Sequence, residues 1–406
     1  MEYQLFTLKN GIRVIHQPVD SPVAHFGVIL NTGSRDEEPD EQGMAHFIEH
    51  TIFKGTGKRK AYQIINRIED GGGELNAYTT KEETAVYATF LTEFYPRAIE
   101  LISDILFHAS FPVKELELET DVIIEEIQSY NDSPSDLIFD DFEELIFDGH
   151  PIARNILGTP ETVRSFNPEM IRRFMARNYL TREMVICSVG RMDARKFIRL
   201  VEQHFGAIPE STHERPREKF LGYKPQVREV KKDTFQSHCI IGTEAFDLKH
   251  DMRLPLVLMN NILGGNSMNS RLNMALRERN GLAYNIEANY TPYTDTGIFM
   301  IYFGTEENNR NKALRLIERE FSRLRNERLG NLQLAKAKKQ LIGQLAIANE
   351  NHEDLMLTLG RSYLYFDKID PLPLVFQKIE NITADDLFNV ANQILDINRL
   401  SILTYR

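Results

Sequence analysis

The sequence predicts an α+β protein made of two copies of one unit, and three observations predict it. Strand-like runs of β-branched and apolar residues are interspersed with amphipathic helical stretches along all 406 residues. Sliding the chain by 212 residues lays Tyr78-Thr79 on Tyr290-Thr291, Thr84 on Thr296, and the apolar pair Val28-Ile29 on Ile240-Ile241. A Pro- and charge-rich stretch without helical or strand periodicity, residues 206–226, falls near the middle. The expected organisation is therefore a domain over 1–212, a linker over 213–228 and a homologous domain over 229–406.

The elements of the first copy follow in order. Residues 12–17 and 25–31 read as strands. After a polar segment containing Pro39, an apolar-rich helix is expected over 43–53, stopped by Gly55. Residues 61–70 read as a helix ended by Gly71, Gly72 and Gly73, and the Thr-, Tyr- and Val-rich residues 76–91 as a long strand or strand pair. Long amphipathic helices occupy 93–107 and 114–130. In the second copy, residues 264–267 read as a turn.

Composition narrows the function. Hydrophobic residues make up 42% and charged residues 26%, a globular balance. With 48 Lys and Arg against 59 Asp and Glu, the net charge of -11 argues against a general binder of nucleic acid, which needs a basic surface. No apolar run approaches the roughly 18 residues of a membrane span, and the first residues lack a basic segment followed by an apolar one. Cys187 and Cys239 are the only cysteines, too few for a disulfide framework or a cysteine zinc site. The expectation is a cytoplasmic protein with no nucleic-acid or membrane partner.

One stretch carries chemistry. His46-Phe47-Ile48-Glu49-His50 is an H-x-x-E-H sequence within the expected helix. Residues four apart lie on one helical face, so His46 and His50 can reach the same cation, and Glu49, three residues from His46, lies close to that face. Two imidazoles and a carboxylate suit zinc with a fourth position open to water, and a neighbouring carboxylate can take that water's proton as it attacks a carbonyl. The third ligand must come from elsewhere. In the helix containing Ile124-Glu125-Glu126, Glu126 shares a face with Val122 and Glu119, whereas Glu125 falls with Asp121 and Gln128 on the polar side. A carboxylate on an apolar face needs a partner, which favours Glu126 as the ligand and Glu119 as a supporting group. Beside the motif, residues 76–79 read as an edge strand to which an extended peptide can add.

From His46 to Glu126 the sequence resembles the pitrilysin family of zinc peptidases, the inverzincins, and in particular its mitochondrial-processing-peptidase-like branch. Glu126 follows His50 by 76 residues, in keeping with that family's ligand spacing, and Glu119 matches an accessory acidic position. Gly72-Gly73-Glu74-Leu75-Asn76-Ala77-Tyr78-Thr79 is similar to the family's G-G-x-x-N-A-x-T segment. The likeness continues through Ser270-Arg271-Leu272, Leu276-Arg277-Glu278 and Gly281-Leu282-Ala283-Tyr284, in the expected order.

The resemblance implies two homologous domains, each a mainly antiparallel sheet covered by helices, joined into a clamshell-like half. It implies a zinc-dependent endopeptidase acting on short unfolded peptides or presequence-like segments. One Zn2+ per chain would be held by His46, His50 and Glu126, with Glu49 as general base and Glu119 as accessory acid. Asn76, Ala77, Tyr78 and Thr79 would bind substrate, and Arg277 and Tyr284 would reach it from the second half, where Tyr284 can stabilise an oxyanion. At the 212 offset His46, His50 and Glu126 fall on Leu258, Ile262 and Lys338, so the second copy cannot bind zinc this way. Relatives of this length work as pairs, and a chain carrying both residue sets points to a homodimer enclosing a chamber. The alternatives are a non-catalytic assembly subunit of the same fold and a peptidase active only with a partner chain.

Overall fold

The computed structural model of the chain describes residues 3–265 and 267–406; of the turn expected at 264–267, Asn266 lies outside the described residues. The strands form a six-stranded and a five-stranded sheet. The first contains β1 (Gln4–Thr7), β2 (Arg13–Pro18), β3 (Val23–Leu30), β4 (Glu74–Thr79), β5 (Thr84–Leu91) and β6 (Met184–Gly190), in the order β1-β2-β6-β3-β5-β4. The second contains β7 (Val227–Val230), β8 (Ser237–Glu244), β9 (Ala283–Pro292), β10 (Gly297–Thr305) and β11 (Ser401–Tyr405), in the order β7-β11-β8-β10-β9.

With β1 set aside the two orders coincide. The pairs β2–β6 and β7–β11 are parallel and the remaining pairs antiparallel, so the internal repeat seen in the sequence is a repeat of topology. The α+β class and the mainly antiparallel sheets are as expected. The expected strand pair at 76–91 is the β4–β5 hairpin, with Thr79 opposite Thr84.

Helices accompany both sheets. The first half supplies α1 (Met44–Thr51), α2 (Ala61–Glu69), α3 (Tyr95–His108), α4 (Val113–Asn131), α5 (Pro134–Ile146), α6 (Pro160–Ser165), α7 (Pro168–Asn178) and α8 (Ala194–Phe205). The second supplies α9 (Arg253–Gly264), α10 (Glu307–Asn326), α11 (Asn331–Ala348), α12 (His352–Phe366), α13 (Leu372–Glu380) and α14 (Ala384–Ile394). Among the described residues none of these is long and apolar enough to cross a membrane.

The compact units are not two contiguous halves. One gathers residues 1–128, 154–217 and 347–369; the other gathers 129–153, 218–346 and 370–406. Thus α5 belongs to the second unit and α12 to the first. The cause is that each sheet has two apolar faces. In the first unit one face, with Val14, Phe26, Val28, Val86 and Ile186, packs with α1, α3, α4 and α8. The opposite face, with Ile15, Ile29, Val185 and Cys187, is covered by Leu355, Met356, Leu359 and Tyr363 of α12. A Cβ on Gly360 would stand 2.6 Å from Ile29 and 3.0 Å from the Cys187 sulfur, so glycine lets α12 approach this closely. In the second unit Leu137, Ile138, Phe142 and Leu145 of α5 pack with Ile240, Met300, Leu403 and Tyr405.

Residues 206–226 are irregular but pinned, and the expected linker ends inside β7, which begins at Val227. Arg215 and Arg217 pair with the buried Asp36 of the first unit, and Phe220 is buried in a cluster of the second.

Candidate active site

The site is built on α1. Met44, Ala45, Phe47, Ile48 and the following Ile52 are fully buried, which leaves His46, Glu49 and His50 on the remaining arc of the helix. The helix start is fixed by Glu37, whose carboxylate accepts from the Gly43 and Ala45 amides at 2.9 Å each. Those are amides that a helix start leaves without intrahelical partners, and Glu37 supplies their acceptors. Gly43 has φ +94, and a Cβ there would stand 2.8 Å from Gly158, so only glycine fits.

Glu126 of α4 meets both imidazoles. One carboxylate oxygen lies 3.8 Å from His46 Nε2 and 3.5 Å from His50 Nε2, and one ligand atom from each of the three residues lies within 4.8 Å of the others. Donors around a tetrahedral zinc at about 2.0–2.2 Å stand roughly 3.4 Å apart, so this donor set fits such an ion with small side-chain adjustments. Burial and the neighbouring His50 push His46 down to about 4, which keeps it the neutral ligand a metal needs.

Glu119 lies beneath this trio. It accepts from His50 Nδ1 at 2.9 Å and from Lys54 Nζ at 2.5 Å. Burial pushes its carboxyl up, but the bonds from His50 and Lys54 outweigh burial and hold it below the usual range. The bond to Nδ1 fixes the His50 tautomer so that the Nε2 lone pair faces Glu126. The same bond raises His50.

Glu126 does not lie on the apolar face of α4 that the sequence led one to expect. The buried stripe of α4 is Leu116, Glu119, Ile123, Ile124 and Ile127; Val122 is exposed and the Glu126 side chain is 43% exposed. Glu119 is the carboxylate on the buried side, answered by two cations or donors, whereas Glu126 sits where solvent can enter.

Glu49 is half-buried on α1. Burial raises its carboxyl, Thr79 and His50 lower it, and Glu126 raises it again. A carboxyl raised by burial beside a candidate metal-binding group is suited to general-base work.

Thr79 belongs to β4, which is the edge of its sheet, as expected. Its outward N–H and C=O groups are free of strand partners and can pair with an extended peptide. Along β4 the side chains alternate: Leu75 and Ala77 pack on the α1 side of the sheet, and Tyr78 on the α12 side. Alternation puts Asn76 on the face of Tyr78, away from Glu49.

In the second unit Arg277 lies in a π-helical turn, Asn273–Glu278, and Tyr284 is the second residue of β9. The Arg277 guanidinium lies 5.0 Å from the Tyr284 ring centroid, so these two residues stand together. Tyr284 is 80% exposed. The helix at the position of α1 is α9, where Leu258 is fully buried.

Two supporting residues, Lys54 and Glu37, escape sequence reasoning. Each lies just outside the helix it serves, where periodicity carries no signal, although a basic residue four positions after His50 is a usable hint.

Comparison with known proteins places this geometry in a family. Residues 13–160 match the model of Insulinase (Peptidase family M16), and residues 165–341 match that of the Peptidase M16 inactive domain. An uncharacterized zinc protease of Bacillus subtilis is 32% identical over 391 residues, covering 96% of this chain and 95% of that protein. An uncharacterized zinc protease of Streptomyces coelicolor is 31% identical, covering 96% of this chain and 86% of its own. A protease from Helicobacter pylori has the same fold, with TM-score 0.92 at 21% identity over 100% of this chain and 99% of that one. A Pseudomonas fluorescens structure described as a peptidase M16 inactive domain superposes with TM-score 0.93 at 19% identity, over 100% and 98%. With relatives at this identity along nearly its whole length, the chain belongs to peptidase family M16, the pitrilysin family.

Proposed function

We propose that the chain is a zinc-dependent endopeptidase that hydrolyses peptide bonds in short unfolded peptides or presequence-like segments, with one metal ion per chain. The observation that carries this reading is the convergence of His46 Nε2, His50 Nε2 and the Glu126 carboxylate, with Glu49 on the same helix arc. Zinc held there would supply Lewis acidity toward water and a carbonyl oxygen. The other roles belong to the chain. Glu119 holds His50 through Nδ1, and the Glu49 carboxylate takes the proton of the attacking water and passes it to the leaving amine. The free edge of β4 holds the peptide backbone without regard to side chains, which suits varied unfolded substrates. Tyr284, with Arg277 against its ring, is the donor for the developing oxyanion.

We assign copies of this chain to a homodimer, because one chain carries both the metal ligands and the Arg277–Tyr284 pair. Free, buried Cys187 and Cys239 accord with a reducing, cytoplasmic setting. The test is to measure metal content, native mass and cleavage of an internally quenched peptide on the purified chain, with and without a chelator. Chelator-sensitive cleavage by a metal-bearing dimer supports the reading. A chain that holds metal and cleaves nothing alone favours a partner-dependent or non-catalytic role instead.

A further inference from the structure

The turn between β4 and β5 carries three consecutive charged residues, and all are buried: Lys81 is 4% exposed, Glu82 5% and Glu83 5%. Hairpin turns ordinarily leave such side chains in water, and burying a charge is unfavourable unless something answers it. Here each is answered by a segment remote in sequence. Lys81 Nζ donates to the Arg154 carbonyl at 2.6 Å. Glu82 faces Arg35 at 2.7 Å and Arg217 at 3.6 Å, and Arg217 also donates to the Glu82 carbonyl at 2.9 Å. Glu83 accepts from Arg361 Nε at 2.5 Å, from the Tyr365 hydroxyl at 3.0 Å and from the Tyr78 hydroxyl at 2.8 Å. Arg361 Nη2 closes the ring of contacts by donating to the Tyr78 hydroxyl at 2.8 Å.

Tyr78 lies on β4 itself, next to Thr79. Strand pairing holds β4 on one side only, through β5. The α12 residues Arg361 and Tyr365 therefore add a second hold on the edge strand, from the face opposite Glu49. We infer that Arg361, assisted by Tyr365, is a positioning residue. Acting through Glu83 and Tyr78, it fixes β4 relative to α1, so that a peptide added to the free edge presents its carbonyl to the metal ligands. Arg361 acts only through these two residues and touches no reacting atom. The inference rests on the peptidase reading above.

The test compares the metal-loaded wild type with Arg361→Gln and Arg361→Lys, reading kcat and KM on a quenched peptide, metal affinity, and amide hydrogen exchange at residues 76–79. Arg361→Gln is expected to raise KM about tenfold with kcat within about twofold, to leave metal affinity unchanged and to speed exchange at 76–79 but not in α1. Arg361→Lys should recover part of the loss. If Arg361→Gln does not yield folded protein, the pair Glu83→Gln/Arg361→Gln, which leaves no lone buried charge, is read in the same way. Wild-type KM together with wild-type exchange at 76–79 overturns the inference. A wild type that binds metal and cleaves nothing overturns the peptidase reading, and exchange at 76–79 then decides the positioning role by itself.

Discussion

The two units hold the same strand order, yet the helix facing the outermost strand does opposite things in each. In the second unit α9 is closed onto β9: Asn260 donates to the Ala288 carbonyl at 2.9 Å, and a Cβ on Gly264 would stand 2.8 Å from that of Ala288. Leu258 and Ile262 of α9 pack on the core. In the first unit α1 presents His46, Glu49 and His50, beside the edge of β4. The scaffold survives the loss of the ligands, so the chemistry resides in a few side chains and not in the fold.

Substitutions test how far the two units differ. Glu49→Gln should lower peptide turnover by about 10³-fold while metal content stays at the wild-type level. Full turnover in that variant would remove Glu49 from the base role. Leu258→Ala, at the second unit's counterpart of His46, should cost about 3 kcal/mol in denaturant unfolding because it leaves a cavity. His46→Ala in metal-free protein should change stability by less than about 1 kcal/mol, since it removes a polar group whose Nδ1 has no partner. Equal effects would mean that the metal helix is as structural as its counterpart. Tyr284→Phe should slow turnover by about 10²-fold with KM little changed, and an unaltered rate would overturn the role proposed for Tyr284. Glu119→Gln should weaken metal binding by about 10- to 100-fold in a chelator competition, through the His50 orientation it sets. An unchanged affinity would leave Glu119 with a packing role only.

Much of this was legible in the residues. The 212 offset reads out β3, β4 and β5 against β8, β9 and β10, because alternating apolar strands keep their spacing when the rest of a repeat diverges. The convergence of His46, His50 and Glu126 was legible because two histidines four apart on a helix leave little geometric freedom, and the acidic pair at 125–126 offered few carboxylates to join them. The destination of α5 and α12 was not. Their apolar faces fit a sheet surface of either unit, and amphipathicity does not say which surface a helix covers. The exposure of Glu126 was also hidden, since a ligand at an opening and a ligand in a core obey the same periodicity. The burial of the charges in the β4–β5 turn leaves no signal in the sequence, because partners such as Arg217 and Arg361 lie more than a hundred residues away.

The placement of α12 in the first unit has a consequence for biosynthesis. A nascent chain that has reached Arg217 has made every strand of the first sheet together with His46, His50 and Glu126, but Ile15, Ile29, Val185 and Cys187 still lack their cover. At roughly 5–20 residues per second, the ribosome needs on the order of 10–30 s more to deliver α12. During that interval the unit that carries His46, His50 and Glu126 is unfinished, so its fold is not complete until translation of the whole chain is nearly done. A chain stopped at Arg217 should accordingly bind a hydrophobic dye that the full-length protein ignores.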